Sequence, residues 1–419
     1  MKVLVIGGGG REHALVWKIS QSSMVKEIYC APGNGGISQL AKCVDISATD
    51  IDGMVGFAVD NNIDLVVVAP DDPLVLGAID RFEEKGIKAF GPSKAAAAIE
   101  GSKTFAKDLM KRYGIPTASY RVFDNFTDAK EFVTTSCPFP VVIKADGLAL
   151  GKGVIIAKDQ GEAIEALDSM MVKRIFNQAG ERVVIEQFIT GPEVSLLAFT
   201  DGETVLPMVS SQDHKRAYDN DEGPNTGGMG AFSPSPYYTD AIHKQVMDKI
   251  VHPTIRAMKQ EGRPFKGVIY FGLMLTKEGP KVLEYNARFG DPETQVVLPR
   301  LKNDLVDIFL KIIDGKLKEV ELKWDNRPAA CIILASGGYP KAYQKGYEIS
   351  GLDKIKDSDC MVFHAGTVYR DGKYYTNGGR VLGITAMGES LTKAVGKAYQ
   401  MVEGVSFQNM HFRRDIGCK

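Results

Sequence analysis

Four consecutive apolar residues, Val3 to Ile6, run directly into four glycines, Gly7 to Gly10, and a helical pattern follows over residues 12–20. A short β-branched run, a glycine turn and a helix make up the repeating unit of a parallel sheet covered on both faces. The unit recurs. Residues 27–30 read as a second strand, ended by Ala31-Pro32-Gly33-Asn34-Gly35-Gly36. Residues 64–69 read as a buried strand, ended by Ala69-Pro70-Asp71-Asp72-Pro73, with a helix over 74–85 and a short strand over 88–90. The first hundred residues therefore predict an α/β, doubly wound parallel sheet. Ligands of such sheets sit beyond the carboxyl ends of the strands, where these three loops lie.

The pattern then changes. A boundary is expected between Gly91 and Gly101, with a helix over 103–113 after it. Strands over 141–144, 154–157 and 182–187 and a helix over 161–172 predict a smaller α/β unit. Residues 210–236 are polar, rich in Gly and Pro and without a period, which predicts a long functional loop. A helix over 240–259 precedes strands over 267–275 and 281–288, and a separate β-rich closing unit is expected from about residue 325.

Charge narrows the function. Lys and Arg total 51 against 52 Asp and Glu, a formal net charge of −1. That balance offers no broad field to nucleic acid or an anionic membrane, so neither partner is expected. No apolar run approaches the ~18 residues of a spanning helix, and the four apolar residues after Lys2 are too few for a signal core. The six cysteines, at 30, 43, 137, 331, 360 and 418, form no C-x-x-C. Reduced thiols in a cytoplasmic protein are the expectation. The scattered histidines predict no His-based metal cluster.

Two glycine loops invite motif readings, and both fail on spacing. A dinucleotide fingerprint begun at Gly7 needs glycine where Glu12 stands; begun at Gly8 it needs glycine where His13 stands. What remains is a glycine turn before a helix N-terminus beside Arg11, which suits an anion. In the second loop, Gly147 and Gly151 enclose three residues where a Walker loop needs four, and Gly153 follows Lys152 where a hydroxyl is needed. A strand follows rather than a helix. This is a glycine hairpin able to fold over phosphates, with Lys144 on the preceding strand.

A third segment, Val282-Leu283-Glu284-Tyr285-Asn286-Ala287-Arg288, carries more. Strand alternation puts Glu284, Asn286 and Arg288 on one face and Leu283, Tyr285 and Ala287 on the other. A carboxylate and an amide oxygen are hard ligands suited to Mg²⁺ together with substrate phosphates, and the guanidinium beside them suits phosphate or carboxylate.

Together, the glycine hairpin with Lys144, the strand ending Glu186-Gln187-Phe188, Glu193, and Glu284-x-Asn286-x-Arg288 resemble an ATP-grasp ligase. Four further segments narrow the likeness: Gly9-Gly10-Arg11-Glu12-His13, Ser211-Gln212-Asp213-His214-Lys215-Arg216, Gly223-Pro224-Asn225-Thr226-Gly227-Gly228-Met229-Gly230 and Arg288-Phe289-Gly290-Asp291-Pro292-Glu293. These resemble the glycinamide ribonucleotide synthetases, over residues 1 to about 416. The resemblance implies an ATP-grasp fold: a Rossmann-like domain over 1–102, a core over 103–122 and 191–324, a lid over 123–190 and a C-terminal domain over 325–419. It also implies ligation of glycine to 5-phosphoribosylamine, driven by ATP through a glycyl phosphate, with Mg²⁺ or Mn²⁺, in a monomer or small homo-oligomer.

The implied roles follow residue by residue. Lys103 and Lys144 would contact ATP phosphates, Gly151, Lys152 and Gly153 would form the lid, and Glu186, Gln187 and Phe188 would meet adenine. Glu193 would accept ribose hydroxyls, and Glu284 and Asn286 would bind the metal. Arg288, Asp291 and Asp213 would serve catalysis, with Arg288 facing the transferred phosphoryl group. Gly9, Gly10, Asn34, Asp213, Lys215, Gly290, Asp291 and Pro292 would hold glycine and phosphoribosylamine. Three positions depart from the family pattern. Gly8 stands where Asn or Ser is usual, Asp71 stands where Glu is usual, and residues 268–275 carry no further metal acid. The alternatives are another ATP-grasp carboxylate–amine ligase and a nucleotide-binding protein without turnover.

Overall fold

In the computed structural model, which describes residues 1–148, 153–355 and 357–418, the first strand, β1 (Lys2–Gly7), divides its side chains between two cores. Val3 and Val5 enter one and Leu4 and Ile6 the other. Both faces are buried because helices cover both. After β1 come α1 (Gly10–Ile19), β2 (Glu27–Pro32), β3 (Lys42–Cys43), α2 (Ile51–Asp60) and β4 (Leu65–Val68). Next follow α3 (Asp71–Leu76), α4 (Ala78–Glu83), β5 (Lys88–Phe90), α5 (Lys94–Gly101) and α6 (Lys103–Arg112). The five strands are parallel, in the order β3-β2-β1-β4-β5. The helix expected over 74–85 is two helices, because Gly77 between them has φ +96°, a left-handed value that ends α3.

A four-stranded antiparallel sheet follows, made of β6 (Tyr120–Phe123), β7 (Val141–Ala145), β8 (Val154–Ala157) and β9 (Val183–Gln187) in the order β6-β9-β7-β8. It has its own core under α7 (Phe126–Thr135) and α8 (Gln160–Leu167). The helix expected over 161–172 ends as α-helix at Leu167 and continues as one π-helical turn to Val172.

The chain then lays down β10 (Glu193–Thr200) and β11 (Val205–Pro207). The segment expected to be an irregular loop contains four short strands: β12 (Gln212–Asp213), β13 (Arg216–Tyr218), β14 (Glu222–Asn225) and β15 (Gly230–Ser233). After α9 (Asp240–Val246), a π-helical turn leads into α10 (His252–Gln260). The wide turn sits just before Pro253, which cannot donate a backbone hydrogen bond. Then come β16 (Gly267–Thr276) and β17 (Gly279–Asn286), which complete an antiparallel sheet ordered β11-β10-β16-β17. Two helices, α11 (Thr294–Val297) and α12 (Leu305–Ile313), follow.

The last stretch comprises β18 (Ala329–Ser336), β19 (Glu348–Ile349), β20 (Cys360–His364), β21 (Thr367–Arg370), β22 (Lys373–Thr376), β23 (Arg380–Met387), α13 (Leu391–Val402) and β24 (Met410–His411). It is β-rich, and its main sheet, β12-β15-β18-β23-β20, takes two strands from residues 212–233. The buried segment Gly230-Ala231-Phe232-Ser233 pairs with β18. A Cβ at Gly230 would lie 2.7 Å from the Cys331 carbonyl oxygen, so glycine lets the two strands close up. Residues 212–233 thus bind the closing sheet to the rest of the chain. Beneath them Phe90, Phe199, Phe289 and Phe309 form one aromatic cluster that carries the segment Arg288-Phe289-Gly290. Among the described residues no helix is long and apolar enough to cross a membrane.

Candidate active site

The glycine turn after β1 is shaped by close approach. A Cβ on Gly8 would lie 2.4 Å from the carbonyl oxygen of Gly33, so the loop after β2 leaves room for glycine alone. This accounts physically for the departure at Gly8. Gly9 donates its N–H to Glu12 Oε2 at 2.6 Å, which fixes the first turn of α1. Arg11 ion-pairs with Glu12 at 2.7 Å and donates to the carbonyl of Phe289 at 3.1 Å, tying this turn to the segment after β17.

Asn34 has its whole side chain engaged within the protein. Its amide nitrogen donates to the carbonyls of Gly8 (3.0 Å) and His364 (2.8 Å), and its Oδ1 accepts from the N–H groups of Gly36 and Ile37, each at 2.9 Å. The side chain fastens two glycine loops to the closing sheet and has no hydrogen-bonding capacity left for a substrate. The structure therefore corrects its expected role to one of support.

Asp291 stands against Gly9 and Gly10: Cβ atoms built there would lie 3.5 Å and 3.7 Å from its carboxylate oxygens. Its Oδ1 accepts from Gln295 Nε2 at 2.7 Å, and its Oδ2 pairs with Arg380 at 3.0 Å. Burial opposes ionisation of Asp291, but Arg380 and Arg11 prevail and hold it below its usual range. Arg380, the first residue of β23, also donates to the carbonyls of Asp291 and Gly227, both at 2.8 Å. Gly228 packs on Pro292, whose Cδ lies 2.5 Å from where a Cβ would stand. Gly290 is similarly crowded by Glu293 Oε2 at 2.5 Å. Two glycine-bearing motifs far apart in sequence thus close around one arginine.

β17 carries Glu284 and Asn286, and Arg288 stands in the bend two residues beyond the strand's end, where the expected strand over 281–288 has already stopped; the opposite set also needs correction. The register with β16 shifts between Gly272 and Leu273, pairing them with Glu284 and Val282 and leaving Leu283 as a bulge. The core side is Val282, Tyr285 and Ala287; Leu283 is half-buried outside it. Asn286 donates its Nδ2 to the Tyr285 carbonyl at 2.9 Å, which leaves Oδ1 as an acceptor beside the half-buried Glu284. That donor set fits a hard divalent cation. Arg288 pairs with Glu100 at 2.9 Å and Asp71 at 3.6 Å, so the shorter acid at 71 still reaches it. Burial pushes Glu100 up to about 7, with Arg288 opposing.

Lysines surround this strand. Lys144 Nζ donates to the carbonyl of the bulged Leu283 at 2.9 Å and pairs with Glu186 at 3.0 Å. Lys103 Nζ donates to the Gly147 carbonyl at 2.7 Å. Lys215 pairs with Asp213 at 2.9 Å and lies 3.8 Å from Glu284. Burial favours the neutral acid at Glu284, yet Lys215, Lys144, Lys103 and Arg288 together hold it below its usual range. The opposite holds for Glu293, pushed up to about 7 by burial and by Asp213. Its carboxylate accepts from Ser195 Oγ at 3.2 Å.

The remaining expected contacts lie at the edges. Glu186 is buried, with Lys107 on its other oxygen at 2.9 Å. Gln187 is exposed, with its Oε1 3.2 Å from Ser119 Oγ; Phe188 is half-buried and Glu193 exposed at the start of β10. Gly153 accepts a hydrogen bond from the Ala145 N–H at 2.9 Å, and Gly151 and Lys152 lie outside the described residues. An open depression of about 900 Å³ lies at the opposite ends of the parallel strands, lined by Lys2, Glu27, Lys42 and Asp64, and none of the motif residues borders it.

The N domain of phosphoribosylglycinamide synthetase matches residues 1–100, its ATP-grasp (A) domain residues 101–294 and its C domain residues 329–419. The chain belongs to the phosphoribosylglycinamide synthetase family. It is 53% identical over 416 residues to a phosphoribosylamine–glycine ligase of Caldanaerobacter subterraneus, covering 99% of each chain. It is 50% identical to the ligase of the same name from Vibrio parahaemolyticus, covering 100% of this chain and 98% of that one. A crystal structure of phosphoribosylamine–glycine ligase from Thermotoga maritima superposes with a TM-score of 0.85 at 34% identity, covering 99% of this chain and 100% of that one. A biotin carboxylase domain from Hydrogenobacter thermophilus, 16% identical, shares the ATP-grasp fold with a TM-score of 0.76, over 98% of this chain and 91% of that one.

Within this synthetase-family framework, sequence reasoning missed Lys107, Glu100, Arg380 and Gln295. Lys107 had one available signal, its place one helical turn after Lys103. Glu293 stood inside a quoted motif without a role. Arg380 had no local signal, since its partners lie in other segments.

Proposed function

We propose that the protein ligates glycine to 5-phosphoribosylamine with ATP, giving glycinamide ribonucleotide, ADP and phosphate, as a cytoplasmic enzyme of de novo purine synthesis. The carrying observation is the convergence of Lys103, Lys144, Lys215 and Arg288 on Glu284, from four separate segments. A carboxylate is inert to amines because oxide is its leaving group. Phosphoryl transfer from ATP to glycine's carboxylate yields an acyl phosphate, which an amine attacks with loss of phosphate. Such transfers need positioning and charge neutralisation rather than a protein nucleophile, and this is the character of the site.

In this reading Lys103 and Lys144 bind ATP phosphates, and Gly151, Lys152 and Gly153 close over them. Glu186 to Phe188 line the adenine side, and Glu193 meets ribose hydroxyls. Glu284 and the free Oδ1 of Asn286 would hold Mg²⁺ or Mn²⁺, which when bound neutralises phosphate charge. Arg288, held by Glu100 and Asp71, faces the transferred phosphoryl group. Asp213 and Lys215 meet glycine or the amine. Gly9, Gly10, Gly290, Asp291 and Pro292 form the sugar side.

The test is ADP release from Mg-ATP, glycine and phosphoribosylamine made in situ from ribose 5-phosphate and ammonia. ADP formation that needs both glycine and the amine is expected. ATP binding without that dependence would discard the substrate assignment in favour of another carboxylate–amine pair.

A further inference from the structure

Lys107 has no role in the reading above, yet it is among the most buried lysines of the chain. Its side chain is 3% exposed, as is that of Glu186, and Lys144 is 8% exposed. The Glu186 carboxylate lies between the two ammonium groups, with Oε2 2.9 Å from Lys107 and Oε1 3.0 Å from Lys144. Lys107 is pinned from behind. Its Nζ donates to Thr117 Oγ1 at 2.7 Å, and Thr117 Oγ1 donates to the Val282 carbonyl at 2.7 Å. Lys144 donates to the carbonyl of the next residue, Leu283. Both lysines are therefore fastened to consecutive residues of β17, immediately before Glu284.

Two cations share one buried anion. A carboxylate that loses its last buried counter-charge is strongly disfavoured. A lysine that must turn toward nucleotide phosphates cannot also be the sole partner of such a carboxylate. Lys107 is held at Glu186 by a second contact of its own, to Thr117 Oγ1. We propose that Lys107 is a positioning residue for nucleotide binding: it keeps Glu186 compensated, so that Lys144 is released to the phosphates of ATP.

The inference rests on the ATP reading of the site but not on the identity of the other substrates. Burial pushes Lys107 down to about 8 while Glu186 opposes that fall, consistent with a cation retained for its partner.

The experiment measures ATP affinity by calorimetry and, separately, the KM of each substrate. Lys107→Met leaves Glu186 with Lys144 alone, so the pair tightens against ATP. The ATP dissociation constant and KM are expected to rise tenfold or more, with the KM values for glycine and phosphoribosylamine within twofold. Lys107→Arg is expected to stay within threefold of wild type. Adding Glu186→Gln to Lys107→Met removes the stranded charge, so the double variant should bind ATP within threefold of the Glu186→Gln single variant and better than Lys107→Met. A uniform rise in all three KM values, or a double variant no better than Lys107→Met, would overturn the proposal. Should Lys107→Met not fold, the double variant is read against Glu186→Gln alone, and a further tenfold loss of ATP affinity there overturns it too. Calorimetry needs no turnover, so a wrong choice of glycine or amine would show as absent ADP release with the ATP result intact.

Discussion

Arg380→Met removes a guanidinium that joins the closing sheet to Asp291 and the Gly227-Gly228 turn. Its ion pair with Asp291 is 3.0 Å long, with side chains 19% and 15% exposed. Two further bonds, both 2.8 Å, run to the carbonyls of Asp291 and Gly227. Truncating one partner of a buried charged pair costs about 3–5 kcal/mol, much of it from the charge left behind. The residual exposure places this pair at the lower end, about 3 kcal/mol. Expressed wholly at the site, at ~1.4 kcal/mol per tenfold, that is a loss on the order of a hundredfold in kcat/KM for the phosphoribosylamine proposed to meet Asp291. Arg380→Lys keeps the charge but lacks the planar fork that serves several acceptors at once, so a loss of roughly tenfold is expected. The assay varies phosphoribosylamine at saturating ATP and glycine, then varies ATP. The ATP KM should stay within twofold of wild type. An Arg380→Met enzyme with wild-type phosphoribosylamine kinetics, or one whose defect lies in ATP alone, refutes the reasoning.

Other outcomes follow from the same geometry. Glu284→Gln replaces the carboxylate proposed to bind the metal with a weaker neutral ligand and should lower turnover strongly; wild-type rates at every Mg²⁺ concentration would remove it from the metal site. Lys144→Ala should weaken ATP binding or catalysis, and unchanged ATP kinetics would exclude it. Asp291→Asn should impair the small substrates more than ATP, which a selective rise in the ATP KM would contradict. Glu293 is pushed up to about 7 by burial and Asp213, so the folded protein holds a proton there that the unfolded chain releases. Its stabilising share is complete below ~4.5 and lost as pH rises through about 7. Glu293→Gln should therefore flatten the fall of melting temperature across that window, and identical pH profiles would count against the assignment.

What could be read from sequence divides along physical lines. β1 and β4 were legible because strands buried on both faces are continuous apolar runs. The shared side of Glu284 and Asn286 was legible because alternation is local. The bulge at Leu283 was not, since it exists only against the partner strand β16. Residues 212–233 read as loop because strands of two to four residues leave too few alternations to detect, and β15 is made a strand by β18, a distant segment. The site divides in the same way. Its motif residues announce themselves by spacing, whereas Arg380 meets Asp291 across 89 residues and Glu100 meets Ala287 across 187. Asn34 looked like a ligand-binding side chain by its place in a glycine loop. Only the three-dimensional structure reveals that neighbouring backbone groups use all of it.

The pairing of charges bears on how such a site can be both stable and receptive. Several cations that would serve phosphates or carboxylates already face acids: Arg288 faces Glu100, Lys144 faces Glu186 and Lys215 faces Asp213. Without those acids, four positive groups crowded round one strand would repel one another in a medium that screens them poorly. With them, an incoming polyanion must compete for each cation. Competition is mildest where the acid has a second partner, as Glu186 has in Lys107, or where the present partner is a neutral carbonyl, as for Lys103 on Gly147. Arg288 is different, because Glu100 and Asp71 both hold it. It is suited to staying still while charge develops in front of it, whereas Lys103 and Lys144 are suited to changing partners. The division between fixed and exchangeable cations is thus written in the acids behind them.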